Sequence, residues 1–198
     1  GFDRPNLFFS VLRPAKKDNR LIELIKERRD KSGIIYCSTR KKVESVCDLL
    51  IKSGFPATRY HAGLSDEERV KNQDDFVYDR KPVMVATNAF GMGIDKSNIR
   101  FVIHYNTPKS MEGYYQEIGR AGRDGLPADT LLFYSDSDIV QLAKFAEESA
   151  QKDLQLEKLA RMQHYATSPV CRRRILLSYF GETLEKDCGN CDICRHPP

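Results

Sequence analysis

The chain has 198 residues, of which 40% are hydrophobic and 30% charged, a composition that supports a folded core and excludes a disordered chain. Its 32 basic and 28 acidic residues give a formal net charge of +4, which is too small an excess to indicate a nucleic-acid partner by itself. No apolar run reaches the ~18 residues that a membrane-spanning helix needs, so the pattern argues against a membrane protein.

The first residues, 1–5 (GFDRP), contain neither an initiator Met nor the charged-then-apolar pattern of a signal peptide. We therefore expect the chain to be a fragment of a longer protein. Without a signal peptide a reducing cytosol is expected, and there clustered cysteines are metal ligands more often than disulfides.

Through residue 135, apolar residues at helical spacing alternate with short apolar runs. This pattern predicts helices over 18–29, 42–53, 65–78 and 110–121, and strands over 33–38, 57–60, 83–86, 101–104 and 130–134. Ser65 and Glu68 form a capping box that marks the start of the third helix. Strands and helices that alternate at this spacing predict βαβ units on a parallel sheet.

Beyond residue 135 the pattern becomes helical, over 139–148, 154–165 and 171–180, and the tail 188–198 is too short and polar for regular structure. We therefore predict two domains. Residues 1–135 form an α/β domain with a parallel sheet, and residues 136–198 form a small helical domain.

Four of the six cysteines lie in the last 28 residues. Cys188, Cys191 and Cys194 have two overlapping C-x2-C spacings, which let neighbouring thiolates bind one ion from a tight turn. A tetrahedral zinc ion needs a fourth ligand, for which Cys171 is the first choice and His196 the competitor. Free thiols or disulfides are the alternative to a metal site. The two remaining cysteines, Cys37 and Cys47, are predicted to be small core residues.

A second candidate site lies in residues 116–125 (QEIGRAGRDG). On a continuous helix Gln116, Arg120 and Arg123 share one face, and guanidinium groups bind phosphate oxygens bidentately. Glycines within a helix lower its stability, so Gly119 and Gly122 indicate that something approaches closely. The alternative is a solvated basic helix end.

Further candidates follow the predicted strands, at the edge where α/β sheets bind ligands. Thr87 lies in a stretch of small residues, 86–95, after one strand. Hydroxyl and N–H groups of Ser38, Thr39 and Arg40, at a helix start, suit an anion, although a plain helix N-cap explains them equally well. His61 follows a third strand, and a lone histidine in such a loop more often has a structural role than a functional one.

Together these segments resemble the RecQ family of superfamily 2 helicases. Residues 34–40 resemble helicase motif IV, 60–64 the segment after it, 86–95 motif V and 116–125 motif VI. The spacing of the four late cysteines resembles that of the RecQ zinc subdomain, and the resemblance covers nearly the whole chain.

The resemblance implies a 3′→5′ DNA-unwinding ATPase that acts in DNA repair and recombination. It also implies that residues 1–135 are the second RecA-like domain of this motor and that residues 136–198 are a helical zinc-binding subdomain. Motif VI then supplies catalytic groups to the γ-phosphate of ATP, with Arg123 as the arginine finger, Arg120 as a sensor and Gln116 in a lesser role. Motifs IV and V hold the DNA backbone, which assigns nucleic-acid contacts to Ser38, Thr39, Arg40, Thr87 and Gly93. The basic run 172–174 extends that surface, unless its arginines pair with acidic neighbours.

The implied partners are single-stranded and forked DNA, a preceding RecA-like domain and a following winged helix. ATP and Mg²⁺ belong to the full-length enzyme, because the sequence contains no G-x4-G-K-[ST], and the chain alone is expected to be inactive. The expected location is the bacterial nucleoid, or the nucleus if the source is eukaryotic, with a bacterial source favoured. The rival hypothesis is a zinc-stabilised DNA-binding module without a motor role.

Overall fold

The computed structural model describes residues 1–88, 90 and 94–198, and a six-stranded sheet lies at the centre of this part of the chain. The strands are β1 (Leu7–Leu12), β2 (Gly33–Tyr36), β3 (Ala57–Tyr60), β4 (Val83–Ala86), β5 (Phe101–His104) and β6 (Ala128–Phe133). Neighbouring strands follow the order β1-β6-β5-β2-β4-β3, and every pair is parallel. The predicted parallel α/β sheet is therefore confirmed.

Strand β1 is absent from the sequence-based assignment, which has no element before residue 18. It pairs along its full length with β6, from Leu7 opposite Ala128 to Leu12 opposite Phe133. The Thr130 hydroxyl adds a hydrogen bond of 3.1 Å to the Phe8 carbonyl. The partner strand lies more than 100 residues away along the chain, so long-range pairing rather than a local pattern places this strand.

Eight helices are found in the described residues. They are α1 (Lys17–Glu27), α2 (Arg40–Lys52), α3 (Asp66–Val77), α4 (Met111–Ile118), α5 (Asp136–Glu147), α6 (Lys152–Thr167), α7 (Arg172–Tyr179) and α8 (Asp192–Arg195). The predicted cap of α3 is present, since the Ser65 hydroxyl accepts a hydrogen bond of 3.2 Å from the Glu68 N–H. None of these helices combines the length and the apolar character needed to cross a membrane.

The two faces of the sheet carry separate apolar clusters. Helices α1 and α2 cover one face through residues such as Leu24 and Val46. The other face is covered by α4, α6 and α7, and its cluster includes Leu7 of β1 together with Tyr165 and Leu176. One core therefore spans residue 135, so the helical C-terminal region packs directly on the sheet.

The prediction of an irregular tail is wrong, because residues 192–195 form α8 and Cys191 forms a β-bridge with Phe9. The Asp192 carboxylate explains this order. It accepts a hydrogen bond of 3.0 Å from the Val11 N–H and forms a two-pronged ion pair with Arg172. These contacts fix a short polar segment that has little apolar surface of its own.

Gly33, at the start of β2, offers a test of this packing. A Cβ added there would lie 2.1 Å from the ring of Phe101, whereas one added at Gly113 of α4 would come no closer than 3.4 Å to Ser110 Oγ. We expect Gly33→Ala to lower the free energy of unfolding by ~1–3 kcal/mol, through overpacking. Gly113→Ala should instead raise it by ~0.5–1 kcal/mol, because Ala favours the helix. Urea unfolding measures both values, and equal effects of the two variants would contradict the packing described for β2.

Candidate functional site

The carboxyl ends of β2 and β4 bring two of the sequence-predicted regions to one edge of the sheet. Tyr36 and Ala86, the last residues of these strands, lie opposite each other. Ser38, Thr39 and Arg40 follow β2 directly and are exposed, while Thr87 follows β4. The segments that resemble motifs IV and V therefore lie at the same edge of the sheet, and Gly93 lies outside the described residues.

The polar groups at this edge of the sheet differ in how free they are to bind an anion. The Thr39 hydroxyl caps α2 by accepting a hydrogen bond of 3.1 Å from the Lys42 N–H. The Ser38 N–H donates to Asn106 Oδ1 at 2.9 Å. Thr87 is 8% exposed, and its N–H is directed at the Tyr60 carbonyl at 3.3 Å. Of the four, Arg40 is exposed and is the one that carries a permanent positive charge for an anion.

A polar cluster that was not predicted from the sequence lies at the end of β5, next to Ser38. The Asp138 carboxylate accepts hydrogen bonds from the Thr107 N–H at 2.9 Å and from Asn106 Nδ2 at 3.2 Å. It also forms an ion pair of 3.0 Å with Lys17. The rule that selected the residues after β2 and β4 would also have selected Asn106, since it follows a parallel strand at the same edge.

His61 and two cysteines have the structural roles that were predicted for them. His61 accepts a hydrogen bond of 3.0 Å from the Gly63 N–H at Nδ1, and its Nε2 lies 3.2 Å from Glu44. Burial raises the pKa of the Cys37 thiol to about 12 and that of Cys47 to about 11. Both thiols are therefore protonated core groups at neutral pH.

The arginines of motif VI do not share a helix face with Gln116, contrary to the prediction. Helix α4 ends at Ile118 with Gly119 as its C-cap, and Gly122 has a φ of +57°, which turns the chain away from the helix axis. Gln116 is exposed on the helix, whereas Arg120 and Arg123 lie in the loop that follows, which we call the arginine loop (residues 119–126).

Several contacts fix the arginine loop to the chain before β5. The Gly122 N–H donates to the Ile99 carbonyl at 2.8 Å, and Asp124 pairs with Arg100 at 2.6 Å. Arg123 is exposed, yet its Nη1 donates to the Ile94 carbonyl at 3.1 Å. This bond joins the end of segment 86–95, which resembles motif V, to the arginine loop.

A buried polar group lies beneath the two arginines. The ring of Tyr36 stacks on His104 with centroids 5.2 Å apart, and His104 Nε2 lies 3.0 Å from Glu117 of α4. Burial, followed by the charge of Glu117, raises the pKa of Tyr36, while the charges of Arg120 and Arg123 oppose this shift. The arginine loop is therefore electrostatically close to the end of β2.

The four predicted zinc ligands converge in space. The sulfur atoms of Cys171, Cys188, Cys191 and Cys194 all lie within 4.8 Å of one another. The distance between the Cys188 and Cys194 sulfurs is 3.8 Å, which is about the edge of a tetrahedron with metal–sulfur bonds of ~2.3 Å. His196, the competing ligand, is exposed and does not belong to this group. The donor set and its spacing fit a tetrahedral zinc ion with no open position.

Backbone N–H groups point at the sulfurs, as expected where thiolates form. The N–H of Cys188 lies 3.4 Å from the Cys171 sulfur, and that of Cys194 lies 3.4 Å from the Cys191 sulfur. Burial works to raise the pKa of Cys171, but hydrogen bonds from the backbone N–H groups of Cys188 and Arg174 and from the neighbouring thiols outweigh it, so the pKa is lowered. Burial raises the pKa of Cys188 and of Cys194, so a metal must displace protons from these thiols.

The three arginines of the basic run after Cys171 all make contacts within the protein. Arg172 pairs with Asp192, and Arg174 pairs with Asp187 at 3.1 Å. Arg173 is 3% exposed and donates to the Leu7 carbonyl at 2.6 Å. The alternative in which these residues pair within the protein is the one that the structure bears out.

Comparison with known proteins agrees with this architecture. The helicase conserved C-terminal domain model matches residues 16–125, and the RecQ zinc-binding model matches residues 136–195. Proteins named ATP-dependent DNA helicase RecQ from Pasteurella multocida and Haemophilus influenzae are 47% and 46% identical over 200 residues. Each alignment covers 100% of this chain and 32% of the relative, so the chain spans about a third of their length.

Among solved structures, S. cerevisiae Dbp5 bound to RNA and ADP BeF3 has a TM-score of 0.65 and 24% identity. The match covers 83% of this chain and 40% of that chain. At this identity the likeness concerns the fold alone, and it confirms the predicted RecA-like architecture.

Proposed function

We propose that this chain is the second motor domain of an ATP-dependent DNA helicase, because it belongs to the helicase conserved C-terminal domain family and continues into a RecQ zinc-binding region. The observation that carries this proposal is the anchored arginine loop, which presents Arg120 and Arg123 from a fixed backbone. Preorganised guanidinium groups stabilise the negative charge of a transferred phosphoryl group. A protein that only binds DNA has no need of such a pair.

ATP and Mg²⁺ would be held chiefly by a preceding RecA-like domain, since the sequence has no P-loop motif. The role of this chain is then to bring positive charge to the far side of the nucleotide. Arg123 is exposed and suits the finger that reaches a second domain. Arg120 is half-buried and its charge acts on Tyr36 at the end of β2, which suits a sensor that links nucleotide to the sheet.

The complete protein would move 3′→5′ along single-stranded DNA and unwind forks during repair and recombination. The exposed groups after β2, above all Arg40, would contact phosphates rather than bases. Thr87 is largely buried and would contribute less. The two relatives with 46% and 47% identity are bacterial, which supports a bacterial protein acting on chromosomal DNA.

We further propose that the four clustered cysteines bind one structural zinc ion. When bound, zinc would neutralise the thiolates and cross-link the start of α7 to the loop before α8. The rival hypothesis, a DNA-binding module built on the zinc site, has less support. The arginines beside the zinc ligands pair within the protein, and the zinc-binding region shares its core with the sheet.

The motor role predicts a loss of turnover when either loop arginine is removed. In the full-length protein, Arg120→Ala and Arg123→Ala should each lower DNA-stimulated ATP turnover by ~10³-fold or more, with a smaller change in KM, since both groups act on developing charge. Gln116→Ala should have a weaker effect, and this chain alone should not hydrolyse ATP. Steady-state assays with saturating single-stranded DNA measure these values.

Arg20→Ala is the matched control, because Arg20 lies on α1 and pairs only with the exposed Glu23 in the described contacts. It should keep turnover near that of the unmodified protein. If both loop variants retained more than about a third of normal turnover, the transition-state role of the arginine loop would be refuted.

The zinc proposal predicts about one equivalent of metal in freshly purified, reduced protein. Replacing any one of the four cysteines by Ser should lower the zinc content and the melting temperature of the C-terminal region, because structural zinc contributes folding energy directly. His196→Ala is the control and should keep its zinc. Elemental analysis that found less than about half an equivalent in the unmodified protein would contradict the site.

The DNA proposal predicts weak, salt-sensitive binding that is nearly independent of sequence. Arg40→Ala should weaken the binding of single-stranded DNA by the same factor for every sequence. It should also reduce the slope of log K against log salt concentration by about one. Arg29→Ala removes an exposed arginine that stacks on Phe55 beyond the end of α1, and it should change neither quantity. Fluorescence anisotropy titrations at several salt concentrations measure both. A strong preference for one base sequence, unaffected by salt, would overturn the assignment.

A further inference from the structure

The first residues of the chain lie against the arginine loop. The Arg4 guanidinium donates from Nη1 to the Gly119 carbonyl at 3.0 Å, and from Nη2 to the carbonyls of Ala121 at 2.8 Å and Gly122 at 3.3 Å. The carbonyls at a helix C-terminus lack partners within the helix and carry partial negative charge. The Arg4 guanidinium therefore satisfies the Gly119 carbonyl at the end of α4, and it also binds the carbonyls of Ala121 and Gly122 in the loop that follows.

Asn6 adds a second set of contacts to the same loop. Its Nδ2 donates to the carbonyls of Gly122 and Leu126, each at 2.9 Å. A Cβ on Gly122 would lie 2.6 Å from this atom, and the residue also has a φ of +57°. The close approach predicted at Gly122 is thus made by the Asn6 side chain.

We propose that Arg4 and Asn6 are positioning residues for the ATPase reaction, which hold the arginine loop so that Arg120 and Arg123 meet the γ-phosphate in a fixed geometry. This inference rests on the proposed function of those two arginines. Five hydrogen bonds from two side chains hold the loop backbone on both sides of Arg120 and Arg123. Preorganisation of this kind matters because a shift of ~1 Å in a catalytic group can lower the rate by ~10².

The segment that carries Arg4 and Asn6 is itself held from the opposite side by the zinc-binding region. Arg173 donates to the Leu7 carbonyl at 2.6 Å, and Asn190 Nδ2 donates to the Pro5 carbonyl at 3.2 Å. Phe2 stacks on Phe180 with ring centroids 4.5 Å apart. Residues 2–7 therefore contact both the arginine loop and the zinc-binding region. Through these residues the zinc-binding region supports the arginine loop.

The choice of arginine at position 4 follows from the three acceptors. A guanidinium presents several N–H donors in a rigid plane, and three carbonyls can share it. A lysine carries the same charge on a single nitrogen, so Arg4→Lys should restore only part of the function. Recovery to within about twofold of the unmodified enzyme would show that charge alone suffices, and would refute the role of the fork.

A double-mutant cycle in the full-length protein tests the proposal. Arg4→Ala should lower DNA-stimulated turnover by ~10–100-fold, with KM for ATP changed less than ~threefold. The same substitution in a protein that also carries Arg120→Ala and Arg123→Ala should lower the residual turnover by less than ~twofold, because a residue that acts through others loses its effect when they are absent. Single-turnover assays with radiolabelled ATP measure the residual rates, and Arg20→Ala serves as the control in both backgrounds.

Equal losses in the two backgrounds would mean general destabilisation, and turnover within twofold of normal would mean no role; either result overturns the proposal. If Arg4→Ala melts below the assay temperature, Asn6→Ala, which removes two of the five bonds, is put through the same cycle with the same criteria. The failure of the proposed function is a separate result, since it requires Arg120→Ala and Arg123→Ala themselves to retain activity.

Discussion

The ion pair between Arg172 and Asp192 holds two distant parts of the C-terminal region together, and Asp192 also bonds this region to strand β1 through the Val11 N–H. Two guanidinium nitrogens donate to the carboxylate at 2.9 and 3.2 Å. The remaining Nη1 donors contact the Tyr165 carbonyl at 2.8 Å, and the carboxylate accepts from the Val11 N–H at 3.0 Å. Arg172 is only 5% exposed, and a charge at such depth is tolerated only when its donors are satisfied. The loss of Asp192 would leave the buried Arg172 guanidinium without its counter-charge.

This ion pair also brings the zinc ligands together. Arg172 follows Cys171 in the chain, and Asp192 follows Cys191, so one side-chain contact joins the two distant parts of the ligand set. Helix α8 then places Cys194 one turn further on. Protein contacts already hold the four sulfurs within 4.8 Å, so a bound zinc ion would strengthen an arrangement that the fold prepares.

What the sequence predicts well is what depends on neighbouring residues. Strands β2 to β5, the Ser65 cap and the overlapping cysteine spacing all have local signatures, and each is found near its expected place. Strand β1 was missed, and the helix predicted over 110–121 was extended too far, because both features depend on residues that are distant in the chain. Pairing with β6 creates the strand, and the close approach of Asn6 accompanies the turn at Gly122; both partners lie more than 100 residues away.

The arginines show the same limit in chemical terms. A motif suggests phosphate wherever guanidinium groups cluster, but a main-chain carbonyl accepts the same donors and has no sequence signature. Arg4 and Arg173 direct their donors to carbonyls, and both are inside the molecule or partly so. Arg123 uses one donor in this way and remains exposed, and Arg40 is exposed at a helix start. Exposure together with donor use, rather than residue type, separates the arginines that support the fold from those free to meet an anion.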